Sequence, residues 1–450
     1  MIQDKAYMVS DTTEVRTAAP EAAAPAPAQT LPVNPSDKYI WGIYGALCFF
    51  SVIELYSASS REIAASGVYG PILRHAAMLF VGFLIILAVE RIPYRWFIPL
   101  TPLFVVASVV MMVYVMFFGE IINGARRSFN LPGFAVQPSE FIKLSAVLLL
   151  ALIMSRTQMK RGILNSGVIA SAVSVVFFGA LLFNQGLTNT LLLMAISASM
   201  MVIGGIQWRK LAVVMLAYSI VAGGAALYKL GHGDDDTPAA ATQTEQLAAG
   251  TDGAGNVNRA STWQSRIERY LGDGTPLYEK PIDAKNRQEM YSYMAQANGG
   301  VFGVIPGNSR ETARLPLAFS DYIFAIIIED LGLVGALFIM FMYLSLLARA
   351  ASIARRCTRT FPALLVIGMA VMITFQALFH MAIVSGVFPV SGQPLPLFSK
   401  GGTSILITSI AFGIMLSVSR YAVRGGTKQE IRQEMDSLPE NMRAENQTQF

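Results

Sequence analysis

Apolar residues recur along the chain in runs that are each close in length to a membrane-spanning helix. An α-helix that crosses a bilayer needs about 20 predominantly apolar residues. Such runs lie at 39–57, 73–90, 97–118, 140–155, 163–183, 188–206, 211–229, 321–347, 361–385 and 403–422. The pattern predicts an all-α polytopic integral membrane protein with about ten transmembrane helices. The polar break between the fifth and sixth runs, at Asn184, Gln185 and Gly186, is short, so a count of nine is the alternative.

The composition favours a membrane protein over a soluble one. Hydrophobic residues make up 54% of the chain and charged residues 14%, whereas a soluble domain carries about 25% charged residues. Two cysteines, Cys48 and Cys357, exclude a disulfide scaffold and are too few for a thiolate metal site. The net charge of +5 is not gathered on a soluble face with interleaved aromatic residues, so a nucleic-acid partner is excluded.

Lysine and arginine residues lie in alternate short loops, and this asymmetry orients the predicted spans with both termini in the cytoplasm. Residues 1–38 are rich in Ala, Pro and Thr and are expected to form a disordered cytoplasmic tail without a cleavable signal peptide. The membrane domain is expected over 39–422, with one large extracytoplasmic loop at about 230–320 between spans seven and eight. Residues 423–450 form the predicted C-terminal cytoplasmic tail.

One predicted external stretch, residues 123–143, combines two arginines with a charged pair at helical spacing. Glu140 and Lys143 are i, i+3 neighbours on one helix face, and a lysine at membrane depth needs a partner. The alternative for this pair is a purely structural tie within the helix bundle. Arg126 and Arg127 are candidates for phosphate contacts, and the alternative for them is snorkelling to lipid headgroups.

A second external stretch, near residues 298–332, carries glycines, hydrogen-bond donors and one well-placed carboxylate. The glycines allow the backbone to approach another group closely; they are Gly299, Gly300, Gly303 and Gly307. The side chains of Asn308, Ser309 and Arg310 could donate hydrogen bonds to a phosphate. Asp321 lies where the loop enters a span, an environment in which a carboxylate can act as a general base. The alternative for Asp321 is an N-cap of that helix. Glu329 and Asp330 lie roughly 12 to 14 Å further along a helix, too far to form a catalytic pair with Asp321. We therefore expect them to belong to a buried structural network.

A third stretch, residues 380–405, interrupts an apolar run with proline and glycine residues that forbid a continuous helix. Broken backbone at membrane depth is tolerated where it is buried in protein or lines a cavity. A fourth stretch, residues 56–60, is small and polar enough to let a helix or a lipid approach closely. Taken from the residues alone, a cationic, glycine-rich external site with one carboxylate indicates an anionic, lipid-linked substrate.

These stretches together resemble the signatures of the SEDS family (shape, elongation, division and sporulation), the polytopic peptidoglycan polymerases typified by FtsW and RodA. The matching segments are LYSAS at 55–59, NGARR at 123–127 with QPSEFIK at 137–143, GGVFG at 299–303 with PGNSR at 306–310, SDYIFAIIIEDLG at 320–332, and FPVSGQPLPLFSKGGTS at 388–404. They occur in the family's order across about residues 39–422. The GNSR segment is more similar to the division member FtsW than to the elongation member RodA.

The resemblance implies a peptidoglycan glycosyltransferase that polymerises lipid II into glycan strands during cell division. A sugar hydroxyl of lipid II attacks, with inversion, the anomeric carbon of the glycan linked to undecaprenyl pyrophosphate, and Asp321 matches the essential acid expected to serve as base. Candidate contacts to substrate or pyrophosphate are Arg126, Arg127, Lys143, Arg310, Asn308, Ser309, Gln137, Glu140 and Lys400, with Arg266 and Arg269 as weaker ones. Residues expected to shape the site are Gly299, Gly300, Glu329, Pro394, Gly401 and Gly402.

The family also implies partners, a cofactor and a location. A class B penicillin-binding protein, which is a transpeptidase, and other division proteins are the expected partners, alongside lipid II and the membrane. Members are often metal-dependent, which makes Mg or Mn the cation to consider. The expected location is the bacterial inner (cytoplasmic) membrane at the division septum.

Four positions depart from the family's pattern. Ser128 stands where Trp is common, Leu317 and Phe319 replace an acid and a His, and Lys400 stands where Tyr is usual. These departures leave Asp321 in place, and one hypothesis is that Lys400 takes over charge lost elsewhere. Three alternatives remain for the function: a RodA-like elongation polymerase, a lipid II flippase or transporter, and a non-catalytic division scaffold.

Overall fold

The computed structural model describes residues 34–59, 69–122, 125–131, 134–159, 162–183, 185–231, 281–282, 286–315, 318–389, 392–422 and 436. The predicted N-terminal tail and most of the long loop and of the C-terminal tail lie outside these ranges. So do Asn184, Arg266, Arg269 and Leu317, which are named above, and the first two residues of the NGARR segment, Asn123 and Gly124.

Helices dominate the described residues. They are α1 (Lys38–Ala58), α2 (Tyr69–Arg91), α3 (Phe97–Phe118), α4 (Pro138–Arg156), α5 (Asn165–Phe183), α6 (Leu187–Ile203), α7 (Trp208–Gly231), α8 (Arg287–Gly299), α9 (Ile323–Ala354), α10 (Thr360–Val384) and α11 (Gly402–Ser419). A 3-10 turn at Tyr94–Trp96 precedes α3. Short antiparallel strands lie on either side of α4: β1 (Glu120–Ile122), β2 (Ala125–Leu131) and β3 (Phe134–Val136) before it, and β4 (Gln158–Met159) with β5 (Gly162–Ile163) after it.

Each of the ten predicted apolar runs coincides with one of these helices. Eight of the described helices combine the length and hydropathy needed to cross a membrane. The other two at predicted positions are α6, with 17 residues, and α7, with 24 residues. The prediction of an all-α polytopic membrane protein is therefore confirmed, while the number of spans stays a prediction.

Burial separates the central helices from the peripheral ones. In the most apolar stretch of α10, 89% of residues are buried inside the protein, compared with 22% in α2 and in α3. Helices α4 and α11 are also mostly buried and pack against α10. A bundle centred on α10 follows, with α2 and α3 presenting most of their side chains outward, where lipid is the expected surrounding.

The start of α1, the end of α9 and the end of α11 are tied together on one side of the bundle. Asp37 caps α1 by accepting hydrogen bonds from the backbone N–H of Tyr39 (3.0 Å) and Ile40 (3.2 Å). The same carboxylate accepts the Arg349 Nε–H of α9 at 2.9 Å. The Asn34 N–H donates to the Arg420 carbonyl just after α11. These three helix ends therefore share one face of the membrane domain.

Helix α9 is broken at Gly332, where φ is +70°. The N–H groups of Leu333 and Val334 donate to the carbonyls of Gly300 and Val301 instead of to the preceding helical turn. In return, the freed carbonyls of Glu329 and Asp330 accept N–H groups from Val304 and Ile305. The loop after α8 thus completes the hydrogen bonds of the break, so that its backbone polar groups are paired within the protein.

Candidate functional site

Asp321 lies in the turn that precedes α9 and is half-buried. The residue that caps α9 is Tyr322, and no side-chain hydrogen bond closes that helix end. The Ser320 hydroxyl donates to the Asp321 Oδ1 at 3.3 Å. Tyr322, and not Asp321, therefore occupies the N-cap position of α9.

The Asp321 carboxylate and the Arg127 guanidinium flank the same backbone position, Gly392. A Cβ atom built on Gly392 would lie 3.3 Å from Asp321 Oδ2 and 3.6 Å from Arg127 Nη1. The three residues come from the turn before α9, from β2 and from the segment before α11. Tertiary structure thus joins three of the sequence stretches at one point, with a carboxylate and a guanidinium within reach of one small group.

Residues 392–399 form an irregular and largely buried segment. Side chains of α10, α9 and α1 donate hydrogen bonds to the backbone carbonyls of this segment. The Gln393 carbonyl accepts the His380 Nδ1–H at 2.6 Å, and the Pro396 carbonyl accepts the Tyr343 hydroxyl at 2.6 Å. The Leu397 carbonyl accepts the Ser51 hydroxyl at 2.7 Å, at a residue whose φ is +67°. Backbone of this kind is stable at membrane depth because its polar groups are paired inside the protein.

Lys143 lies at the centre of a polar chain inside the bundle. Its Nζ donates to Glu140 Oε1 at 2.8 Å and to Gln376 Oε1 at 2.9 Å, and the lysine is fully buried. The Gln376 side-chain amide donates in turn to the Pro394 carbonyl at 3.3 Å. The chain therefore links α4 through α10 to the segment that carries Gly392, which makes Lys143 a support of the site.

Lys400 contacts another residue that departs from the family's pattern. Its Nζ lies 4.7 Å from the centre of the Phe319 ring, within the range of a cation–π contact. Its backbone N–H donates to the Phe319 carbonyl at 3.0 Å. The Ser399 hydroxyl donates to the Ser320 carbonyl at 2.7 Å, so this segment fixes the turn that ends at Asp321.

The GNSR loop is organised by the buried Glu329 carboxylate. The Arg310 backbone N–H donates to Glu329 Oε1 at 3.0 Å, and the Ser309 hydroxyl donates to Oε2. The Asn308 side-chain amide donates to the Val304 carbonyl at 3.2 Å, and both Asn308 and Arg310 are exposed. Ser309 is therefore held inside the loop, whereas Asn308 and Arg310 present their side chains outward.

Gly299 marks the closest approach between α8 and α9. A Cβ atom at this position would lie 1.9 Å from the Ile328 carbonyl oxygen, so only glycine fits. Gly300 follows with φ +53°, a left-handed conformation. Both glycines shape the loop by allowing its backbone to reach the break in α9.

The other predicted site residues, Gln137, Gly401, Gly402 and Arg126, lie at the ends of helices or in a strand. The Gln137 backbone N–H donates to Thr403 Oγ1 at 3.1 Å, which ties the start of α4 to the start of α11. Gly401 precedes α11 and Gly402 is its first residue. Arg126 belongs to β2, but its side chain lies outside the described atoms.

Two buried acids lie next to the loop, and only one of them, Asp330, was expected in a structural network; Glu54 was not. Glu54 of α1 is 0% exposed and lies beside Asp330 of α9. Neither carboxylate has a partner at hydrogen-bond geometry within the described ranges, although the Ser57 hydroxyl interacts with Asp330. Ser57 also accepts the Gly307 N–H at 3.2 Å. The sequence feature that indicates this pair is Glu54 itself, because a glutamate within an apolar run is unusual.

We expect Glu54→Met to raise the free energy of unfolding by about 1 kcal/mol or more, because an unsatisfied buried polar group is replaced by an apolar one of similar size. Thermal unfolding of the purified protein in detergent measures the change. Glu140→Met is the matched comparison and should lower stability, since it leaves the buried Lys143 without its acid. A lower melting temperature for Glu54→Met would show that this carboxylate is satisfied in the membrane.

No group of three or more His, Cys, Asp or Glu side chains converges in the part of the chain that the structure describes. Magnesium commonly takes one or two carboxylates together with substrate phosphates. Asp321 supplies one carboxylate at the site, and the residues that the structure describes do not by themselves form a cage for a divalent cation. The cation stays a prediction.

The fold and site define a polytopic helical membrane protein with an acid and an arginine beside a buried irregular segment. A family model for the FtsW/RodA/SpoVE cell cycle proteins matches residues 37–424. The chain belongs to this family, which confirms the predicted SEDS membership.

Curated relatives cover most of the chain. One is a probable peptidoglycan glycosyltransferase FtsW of Trichlorobacter lovleyi, 30% identical over 83% of this chain and 90% of its own length. Another is the peptidoglycan glycosyltransferase MrdB of Escherichia coli K12, 27% identical over 86% of this chain and 97% of its own length. These names agree with the predicted enzyme class.

A solved structure shows the same fold. A chain of a peptidoglycan synthase complex, described for the coordination of polymerization and crosslinking, superposes with a TM-score of 0.64 at 23% identity. The match covers 87% of this chain and 99% of the other. The polytopic helical architecture is therefore shared.

Proposed function

We propose that this protein is a peptidoglycan glycosyltransferase that polymerises lipid II at the external face of the bacterial cytoplasmic membrane. The observation that carries the proposal is the meeting of Asp321, Arg127 and Gly392 at one point. Family membership and the names of the curated relatives support the reaction class. Septal synthesis is the proposed setting, because the first of these relatives is named FtsW and the GNSR loop has the division-type sequence.

In the proposed reaction, the Asp321 carboxylate accepts the proton of the attacking sugar hydroxyl of lipid II. The hydroxyl oxygen forms a bond to the anomeric carbon of the growing glycan from the face opposite the leaving group. The bond between that carbon and the pyrophosphate oxygen breaks, and undecaprenyl pyrophosphate leaves with the electron pair. A base within hydrogen-bond reach accelerates such a step by about 10²- to 10⁴-fold.

Positive charge beside the leaving group is the second requirement of this reaction. Arg127 is the proposed donor, because its guanidinium reaches the same position as the Asp321 carboxylate. Arg310 is exposed at the edge of the loop and suits capture of a lipid-linked phosphate. Lys143 donates to Glu140 and Gln376 within the bundle, so its proposed role is support of the segment that carries Gly392.

Polymerisation of labelled lipid II in proteoliposomes, with and without a class B penicillin-binding protein, tests the proposal. Glycan polymer is the expected product. Translocation of lipid II without polymer would instead identify a flippase, and the absence of both would favour a scaffold. Rescue of a strain depleted of its division polymerase, but not of one depleted of its elongation polymerase, tests the septal assignment.

We expect Gly392→Val to lower the polymerisation rate by about 100-fold, because a branched side chain there forces Asp321 and Arg127 apart by close to 1 Å. The Cβ contact of 3.3 Å to Asp321 Oδ2 is already tight before the two methyl groups are added. The initial rate of lipid II consumption measures the effect. Gly401→Ala is the control in the same segment, because its Cβ meets neighbours only at 3.5 and 4.0 Å. Equal polymerisation rates for the two variants would show that Gly392 does not lie next to the reacting groups.

A further inference from the structure

The loop between α8 and the GNSR segment exposes large apolar side chains on the external side of α9. Phe302 is 82% exposed, Ile305 is 68% exposed and Val301 is 55% exposed. The loop is not loosely attached, because its backbone is hydrogen-bonded to both sides of the break in α9. The protein therefore holds this apolar surface, Val301 with Phe302 and Ile305, at a fixed position outside its own core.

The exposed apolar surface of α9 runs directly into this loop. Outward side chains follow the helix at positions i, i+3, i+4, i+7 and i+10, which are Val334, Leu337, Phe338, Phe341 and Leu344. This spacing marks one helix face, which in a spanning helix is the face toward lipid. The N–H of Val334 donates to the Val301 carbonyl, so the loop continues the same face.

The length of α9 places the loop at the outer boundary of the hydrocarbon layer. Arg349 is bound to Asp37 at the helix end shared with the start of α1, and Ala354 is the last residue of α9. From the break at Gly332 the distance is about 26 Å to Arg349 and about 33 Å to Ala354, at 1.5 Å per residue. The hydrocarbon core of a bilayer is about 30 Å thick. The break and the loop bonded to it therefore lie where the outer leaflet meets its headgroups.

The loop changes from apolar to polar along its sequence, as expected for a segment at the boundary between acyl chains and headgroups. The apolar residues end at Ile305, and the exposed Asn308 and Arg310 follow. A segment that lies at a membrane interface buries apolar side chains among the acyl chains and directs cationic ones toward phosphates.

We propose that Val301, Phe302 and Ile305 anchor this external loop in the outer leaflet of the bilayer. The apolar surface contacts the part of the lipid acyl chains that lies next to the headgroups. The anchor sets the height of the GNSR loop above the membrane and places the Arg310 guanidinium at the level of lipid phosphates. This inference concerns contact with the bilayer and stands independently of the proposed reaction.

Nitroxide labels at single cysteines test the anchor in the full chain reconstituted into phosphatidylglycerol and phosphatidylethanolamine vesicles without any partner. Cys48 and Cys357 are first replaced by alanine, and labels are then placed through Phe302→Cys or Ile305→Cys. Phe341→Cys, on the lipid face of α9, is the membrane control, and Ala313→Cys, exposed after the GNSR segment, is the aqueous one. Collision with molecular oxygen reports lipid, and collision with a water-soluble nickel chelate reports solvent.

The expected result is that labels at 302 and 305 collide several-fold more with oxygen than with the chelate, as at 341, with the opposite ratio at 313. A ratio at 302 and 305 equal to that at 313 would place the loop in water and overturn the proposal. Low collision with both reagents would show that protein covers the surface, from this chain or a second copy, and would also overturn it. Phe302 and Ile305 are exposed, so their replacement leaves the core intact.

Discussion

Replacing Asp321 by asparagine is expected to abolish lipid II polymerisation, with a rate loss of about 10²- to 10⁴-fold. The amide keeps the shape of the carboxylate but accepts no proton from the attacking hydroxyl. The melting temperature of the variant, measured beside its rate, checks that the substitution leaves the fold intact. Single-turnover assays in proteoliposomes with saturating lipid II measure the loss separately from substrate binding.

Ser320→Ala is the matched control for this variant. It removes the neighbouring hydroxyl, which donates to Asp321 Oδ1 at 3.3 Å, and leaves the carboxylate in place. A loss of about tenfold or less is expected, because at 3.3 Å this bond is long and contributes less than the roughly 1.5 to 3 kcal/mol of a well-formed hydrogen bond to a charged group. Polymer formed by Asp321→Asn at the parental rate would remove Asp321 from the catalytic assignment while leaving the family and fold intact.

Replacing Lys143 by methionine is expected to destabilise the protein by about 3 to 5 kcal/mol, because it leaves the buried Glu140 carboxylate without its cation. Lys143 is fully buried and Glu140 nearly so, and water cannot substitute for the missing ammonium. The expected result is a lower melting temperature in detergent together with loss of activity, since the chain from Lys143 through Gln376 to Pro394 supports the site.

Two comparisons isolate this effect. Glu140→Gln combined with Lys143→Met removes both charges and should recover most of the lost stability. Lys210→Met is the surface control: the Lys210 Nζ donates to Asn165 at 2.7 Å, but the pair is exposed and its loss should change stability by less than about 1 kcal/mol. A double variant as unstable as Lys143→Met would show that the lysine contributes through packing and not through charge.

The spans were predictable because the hydropathy of a spanning helix is a local property. Any run of about 20 apolar residues satisfies the bilayer without information from distant parts of the chain. The Glu140 and Lys143 pair was also predictable as a contact, since residues three apart share a helix face. The third member of that cluster, Gln376, was not, because it lies on another helix.

The break in α9 shows where local information fails. A long apolar run with only two glycines, Gly332 and Gly335, reads as a continuous helix, since glycine alone only weakens a helix. The helix breaks at Gly332 because carbonyls and N–H groups of residues 300–305 replace its own hydrogen-bond partners. Glu54 was missed for a similar reason: its meaning depends on Asp330, 276 residues away in the chain.

The sequence by itself determined the class of this protein, its apolar helices and the residue types available for chemistry, because these follow from composition, from periodicity and from short motifs. Only the tertiary structure decided which of the few polar residues meet. Asp321, Arg127 and Gly392 come from three separate segments, and nothing local to any of them specifies the others. The physical reason is that a buried polar group must find its partner within the protein, and packing of the helix bundle selects that partner.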